Sequence, residues 1–370
     1  MRVLQFAKRP VVTVAFVCAT LVGCGGESAP DAPFNPAGTT ADLEAMNTTF
    51  GSSTFNSFST FSMLFDATLG GAPIISSSAA ALDIRGKGGS GTAGMRAAAM
   101  RSAQRIAAII PKPAAEGFSA AMMALPTSVA GKTFVYNSTS GAYEDAGLEP
   151  LDLNTVRFML YAVDPVTFEP VVPLVETGHV DLIDLSAGST QAARVLVVSG
   201  GTTYIDYTVS ATSNASSGRV NVIGYVTDGA TQANINLAST ITFTAGLTLT
   251  YSLDLPQRDV SIDLTVNASD YSDPDVTLVM NLLMRGPNGT VAMSGTLTNA
   301  TSTINVRISG DAFATITTDG TITTITRNDG TPLSDDELDA LNGVFEMSAS
   351  AFIAFDMMLA PVGGLLEQPA

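Results

Sequence analysis

The side chains that could carry out chemistry in this chain are few. His179 is the only histidine, no serine lies in a G-x-S-x-G motif, and no S-x-x-K pattern occurs. A catalytic serine of the triad type needs a histidine base, so any such triad would have to use His179. This histidine stands just before Val180-Asp181-Leu182-Ile183, where a strand is expected to begin. We therefore interpret His179 as a surface or capping residue and predict that the protein is not an enzyme.

Acidic residues are abundant and leave two further kinds of site open. Paired carboxylates can hydrolyse glycosides, so a hydrolase that uses acids alone and acts outside the cytoplasm is kept as an alternative. Asp270, Asp273 and Asp275 form the densest acidic turn, and their oxygen atoms could bind calcium. Their spacing differs from that of an EF-hand loop, so a solvated turn is favoured and the three aspartates are a weak metal candidate. No motif requires a cofactor.

Charge is distributed unevenly along the chain. The sequence has 17 basic and 34 acidic residues, a net charge of −17, and this negative field makes nucleic-acid binding unexpected. Residues 85–112 hold six basic residues and no acid, and residues 86–91 match G-x-G-x-x-G. A dinucleotide site would need this loop inside a βαβ unit, whereas the sequence that follows is of β type. We expect a Gly-rich loop leading into a basic helix at 95–110 that faces acidic protein surface or lipid headgroups.

The N-terminal segment 1–23 has the order of an export signal. A basic segment precedes an apolar run at 11–22, which is too short to span a bilayer as a mature helix. The run ends in Leu21-Val22-Gly23-Cys24, which resembles the lipobox of bacterial lipoproteins. Over the leader alone, this resemblance implies cleavage before Cys24, acylation of that cysteine by palmitate-like chains, and anchoring to a membrane.

The residues around the cleavage site refine this expectation. Gly25 follows the cysteine instead of the aspartate that tends to retain lipoproteins at the inner membrane, so the outer membrane is favoured. The only other cysteine, Cys18, lies in the leader, so the mature chain has no disulfide. Without the three basic residues of the leader, the mature chain carries 14 basic and 34 acidic residues, a net charge of −20.

The sequence between residues 132 and 333 has the pattern of β-strands. From 218 to 309 apolar and polar residues alternate, which gives each segment one apolar face and one face rich in hydroxyl groups. Fifteen such segments occur between residues 132 and 333, separated by turn residues, and their short connections favour an antiparallel meander. The predicted fold is mainly β with flanking helices (α+β): a large curved antiparallel sheet or half-barrel packed on a long C-terminal helix.

Helices are predicted at both ends of this sheet region. Phenylalanines at Phe55, Phe58, Phe61 and Phe65 form one helical stripe, with a break near Gly51. Ser334 and Glu337 form a capping-box pattern that begins the last helix, and Pro361 is expected to end it. The predicted segments are the signal peptide (1–23), a Pro-rich tether (24–40), a helical and Gly-rich segment (41–131), the β-meander (132–333) and the C-terminal helix (334–361).

The predicted architecture is loosely similar to periplasmic lipid-handling proteins of the LolA and LolB type, whose half-barrels hold acyl chains. The resemblance implies lipid or another apolar ligand as a partner, with Phe345, Phe352 and Phe355 as lining residues. If the helices fill the apolar face, the protein is a structural or interaction module instead. An integral outer-membrane β-barrel is the alternative class, disfavoured by the lipobox and by the lack of tryptophan.

Overall fold

Fifteen strands form one curved sheet that does not close on itself. The structure is a computed structural model and describes residues 33–68, 92–110, 125, 128–147, 151–244, 246–273, 275–319 and 322–366. The strands are β1 (Thr133–Asn137), β2 (Ala142–Asp145), β3 (Thr155–Tyr161), β4 (Glu176–Asp184), β5 (Gln191–Ser199), β6 (Thr202–Ser213), β7 (Ser217–Thr227), β8 (Gln232–Thr242), β9 (Leu247–Leu255), β10 (Val260–Ala268), β11 (Leu278–Arg285), β12 (Val291–Leu297), β13 (Thr301–Ile308), β14 (Asp311–Asp319) and β15 (Ile322–Arg327).

Each of the fifteen predicted strands corresponds to one of these strands, and the predicted fold class is confirmed. From β3 to β15 every strand pairs antiparallel with the next, as a meander requires. In β9, Leu247, Leu249 and Leu253 are buried while Thr248 and Thr250 are exposed, so the period of two in the sequence decides which face is covered.

One pair departs from the antiparallel prediction, because β3 runs parallel to β1. β1 and β2 form a hairpin, and β3 adds to the other edge of β1. The end of β2 lies beside the start of β1, which is also where a parallel β3 must begin. The connection from β2 to β3 therefore has only a short distance to span.

Two helices precede the sheet: α1 (Pro36–Phe50) and α2 (Ser53–Thr68). α1 begins inside the predicted tether, because the Asn35 side chain caps it by accepting the Gly38 N–H at 3.2 Å and Pro36 occupies the first turn. The predicted break is confirmed: α1 ends at Gly51, and the Ser52 hydroxyl accepts the Phe55 N–H to begin α2.

The third helix, α3 (Thr92–Ile109), lies in the core, so of its two predicted environments lipid headgroups are wrong, and acidic protein surface is met only as the buried Asp356. Arg96 and Arg105 are both buried. Arg96 donates through Nη2 to the Val276 carbonyl at 3.0 Å, and Arg105 is paired with Asp356. Hydrogen bonding to these groups stabilises the guanidinium groups away from water. The Gly-rich loop that precedes α3 lies outside the described residues.

The last helix, α4 (Asp335–Leu366), is the long C-terminal helix that the sequence predicts. Its capping box is confirmed, because Ser334 Oγ accepts the Glu337 N–H and Glu337 Oε2 accepts the Ser334 N–H at 2.8 Å. Pro361 does not end it. The proline removes one backbone donor, but Leu359 and Val362 on either side are buried, and this packing holds the helix together.

α4 is the centre of the helical layer. It packs against α1, α2 and α3, and its residues from 340 to 363 are largely buried. The Tyr207 hydroxyl donates to the Met358 carbonyl at 2.6 Å, and the Tyr251 and Phe355 rings meet edge to face at 4.7 Å. By length and composition α4 could cross a membrane, but most of its apolar window is buried within the protein, as in the core helix of a soluble protein.

Candidate binding site

The longest connection of the meander, residues 162–175 between β3 and β4, is an ordered hairpin-like extension. At its base the Ala162 N–H donates to the Val175 carbonyl at 2.8 Å, and the Val171 N–H donates to the Ala162 carbonyl at 2.9 Å. Nearer the tip the Phe168 N–H donates to the Asp164 carbonyl at 2.8 Å. Most of the connection is therefore held by its own backbone, and we call residues 162–175 the β3–β4 loop.

Asp164 shapes the tip of the β3–β4 loop. Its Oδ1 accepts the backbone N–H groups of Val166 at 2.7 Å and Thr167 at 2.9 Å. These hydrogen bonds lower the pKa of the Asp164 carboxyl group. Phe168 adopts a φ of 58°, a left-handed conformation that is strained for a large side chain. The Phe168 carbonyl accepts the Thr60 hydroxyl at 3.0 Å, which ties the loop to α2 and helps to fix this conformation.

A pocket of about 410 Å³ opens where the loop meets α2 and the end of β1. This is within the size range of small-molecule sites, about 300–1,000 Å³. Its lining combines apolar side chains with a few hydroxyl groups, and Glu169 is the single charged residue in it. The lining residues are Thr60, Met63, Leu64, Tyr136, Ser138, Thr167, Phe168, Glu169, Pro170 and Val172.

Packed aromatic rings lie behind the pocket. Phe61 of α2 contacts Phe158 of β3 with ring centroids 5.1 Å apart, and Phe134 stacks on the same ring at 5.1 Å. Tyr143 meets Phe158 edge to face, and its hydroxyl donates to the Met159 carbonyl at 3.0 Å. Burial raises the pKa of Tyr143 well above its ordinary value. These ring contacts pack α2 and β1, which both carry lining residues of the pocket, against β3.

The β3–β4 loop presents apolar side chains to solvent, and one of them, Val172, also lines the pocket. Val166 is 75% exposed and Val172 is 70% exposed, and Val171 and Val175 are exposed as well. Single exposed apolar residues are ordinary, whereas these four lie on one loop.

His179, the only candidate base, lies on β4 beside an ion pair. Arg157 binds Asp181 through both Nε at 2.7 Å and Nη2 at 2.8 Å, while His179 Nε2 is 3.7 Å from Asp181 Oδ2. Burial, followed by the Arg157 charge, lowers the pKa of His179, although Asp181 opposes that shift. Because Asp181 is held by Arg157, this group is a structural ion pair with a neighbouring neutral histidine. It does not have the geometry of a catalytic triad.

The three predicted lining residues of α4 are core residues. Phe345, Phe352 and Phe355 are buried, and none of them is among the residues that line the pocket. These three phenylalanines lie on the face of α4 that packs against other elements. The helical periodicity of the sequence predicts that this face is buried, but it does not predict whether protein or ligand covers it.

The acidic turn does not form a metal site in the described residues. Asp270 Oδ1 accepts the Ser272 backbone N–H and hydroxyl, which lowers the pKa of Asp270, and Asp273 Oδ1 accepts the Asp275 N–H. Asp275 itself accepts the Asn299 side-chain amide. Each carboxylate therefore holds a turn. Within the part of the chain that the structure describes, no three His, Cys, Asp or Glu side chains converge as metal ligands.

The predicted lipidation site, Cys24, lies outside the described residues. The pocket is the feature that the sequence does not predict. Its one sequence signal is the connection at 162–175, which is longer than its neighbours and rich in valine and proline.

Comparison of the chain with protein-family models, with curated proteins and with solved structures gives no match.

Proposed function

We propose that the protein is a non-enzymatic binding module, exported and anchored to the outer membrane through lipidated Cys24. The observation that carries the binding role is the pre-formed pocket between α2 and the β3–β4 loop. The lipobox-like leader supports the anchor, and the helices packed on an open sheet support a folded body outside the bilayer over a membrane barrel. The two edge strands of the sheet, β2 and β15, are not paired with each other, whereas a closed barrel needs that pairing.

The packing also limits what the module holds. The broad apolar face of the sheet is covered by α1 to α4, with Phe352 and Phe355 buried against it. A guest of the kind held in a LolA-type half-barrel would have to displace this packed layer. The proposed ligand is therefore a small apolar group in the pocket, and not an acyl chain spread across the sheet.

The charge of the pocket narrows the ligand class. Glu169 is the one charged lining residue and Asp164 lies near it in the loop, so an anionic headgroup would be repelled. The hydroxyl groups of Tyr136 and Ser138 can bind a neutral polar group. The ligand class is an apolar molecule with a neutral or cationic polar end.

Fractionation of cells that express the full chain tests the anchor. We expect the wild-type protein in the outer-membrane fraction and the Cys24→Ser variant released from membranes, since each buried methylene of an acyl chain contributes about 0.8 kcal/mol. Unchanged membrane retention of Cys24→Ser would contradict the anchor.

Native mass spectrometry of the purified Cys24→Ser protein tests the ligand. We expect a small apolar molecule to co-purify, and Ser138→Trp to abolish this because Ser138 is an exposed pocket residue and an indole would fill the site. Thr139→Trp is the matched control, since Thr139 is exposed in the same turn but does not line the pocket. An apo mass for the unsubstituted protein, or equal ligand retention in both tryptophan variants, would refute the pocket as the binding site.

A further inference from the structure

The described part of the chain begins at the same rim of the sheet as the β3–β4 loop. Neighbouring strands from β3 to β15 are antiparallel, so the turns that follow β3, β5, β7, β9 and β11 all lie at one rim. Asn35 is fastened to the turn after β11: its backbone N–H donates to the Asn288 carbonyl at 3.0 Å, and its side-chain amide donates to Asn288 Oδ1 at 3.1 Å. We call this rim the entry rim.

The chain between the proposed anchor and the entry rim is short. Asn35 follows Cys24 by only eleven positions. A fully extended chain of that length spans at most roughly 40 Å. β9 and β10 each run from the entry rim to the opposite rim. At the rise per residue of a β-strand, a strand of that length is roughly 30 Å long, so the opposite rim lies roughly 30 Å from the entry rim. The chain therefore reaches a membrane at the entry rim without stretching, whereas a membrane at the opposite rim would need the chain stretched over roughly 30 of its roughly 40 Å.

We propose that the β3–β4 loop docks on the bilayer that carries the lipid anchor, with Val166 and Val172 in the headgroup region. This inference rests on the proposed lipid anchor. The loop has the properties of such an element: its apolar side chains are exposed, and its backbone is ordered by its own hydrogen bonds. Ordering before contact lowers the entropic cost of docking.

The charges of the loop select the kind of lipid surface. Asp164 and Glu169 lie within it, and the mature chain is strongly acidic, so anionic lipids would oppose docking. The occupant that fits an apolar and acidic loop is a zwitterionic lipid surface. A protein partner is the competing occupant, and the experiment below separates the two.

A single introduced thiol can report the position of the loop, because Cys18 is lost with the leader and Cys24 is consumed by lipidation. The full lipidated protein is reconstituted in phosphatidylcholine vesicles with Val172→Cys, or with Val166→Cys as a second loop variant. Each variant is labelled with an environment-sensitive fluorophore. Leu153→Cys is the matched control, because Leu153 is 80% exposed but lies in the connection before β3, at the opposite rim.

We expect the emission from the loop labels to shift to shorter wavelength and to be quenched by spin-labelled lipid, whereas the Leu153 label stays water-like. Water-like emission at both rims from protein that floats with the vesicles would overturn loop docking while leaving the anchor intact. Failure of the wild-type protein to float would overturn the anchor and the docking together. A loop label that is water-exposed on vesicles but shielded in native outer membranes would overturn lipid docking in favour of a protein partner.

Discussion

The buried ion pair between α3 and α4 gives a sharp prediction about stability. Arg105 Nε donates to Asp356 Oδ1 at 2.5 Å, and the two side chains are 3% and 10% exposed. We predict that Asp356→Leu lowers the free energy of unfolding by about 3–5 kcal/mol, because the guanidinium group of Arg105 stays buried without that carboxylate. Leucine is close to aspartate in size, so the loss comes mainly from the desolvated charge.

The predicted loss of stability is large because the ion pair is buried. A solvent-exposed ion pair contributes about 0–1 kcal/mol, because water screens it and ordering two side chains costs entropy. Removing both charges together leaves no buried guanidinium group opposite the substituted carboxylate. We therefore expect Arg105→Met with Asp356→Leu to recover most of the stability that Asp356→Leu alone loses.

Urea unfolding followed by circular dichroism at pH 7, in a Cys24→Ser background, measures both effects. The matched control is the exposed pair of Arg285 and Asp263. There, Asp263→Leu should cost less than about 1 kcal/mol. The reasoning is refuted if Asp356→Leu costs no more than Asp263→Leu, or if the double variant is as unstable as the single one.

Three further predictions concern single buried or half-buried groups, each measured as a urea midpoint. Tyr207→Phe should cost about 1 kcal/mol, because it removes one buried hydrogen bond to the Met358 carbonyl; an unchanged midpoint would contradict this. Asp42 of α1 accepts Arg258 Nη1 at 3.0 Å and the side-chain amide of Asn288. Asp42→Ala should therefore lower the midpoint by more than Tyr207→Phe does, because hydrogen bonds to a charged group are the stronger ones; an equal or smaller effect would contradict this. The pKa of His179 lies below its ordinary value of 6.5, so the unfolded chain binds the proton more readily. The wild-type protein should therefore lose stability relative to His179→Gln as the pH falls from 7.5 to 5.5, and a constant difference would refute the assignment.

Local periodicity carries most of the information about the strands. The alternation in β9 is continuous, and a shift of one residue would place its leucines in water and its threonines in the core. The register is therefore strongly specified by the sequence. The parallel addition of β3 to β1 is different, because it depends on which edge of the β1–β2 hairpin is available and not on the pattern of any one strand.

Helix ends show where local rules and packing compete. The capping box at Ser334 forms as predicted, because it depends only on residues within one turn. Pro361 is a strong local stop signal, yet α4 continues through it since its neighbours are buried in the core. At Asn35 the local signal is present as an Asn-Pro pair, and the helix that it begins lies partly inside the segment predicted to be a tether.

The basic helix and the pocket depend on tertiary structure. Nothing within α3 indicates that Arg105 meets an aspartate 251 positions later, so its cluster of basic residues suggests a surface. The pocket likewise needs α2, β1 and the β3–β4 loop to meet, and these are distant in the chain.

The sequence by itself determined the fifteen strands, the meander order from β3 to β15 and the apolar stripes of the helices, because periodicity and turn residues act over short distances. Only the tertiary structure decided that α1 and α3 join the helical layer around α4, that α3 is internal and that a pocket is formed beside an apolar loop. These features are contacts between distant segments, and a single sequence does not record which of its many apolar surfaces will meet.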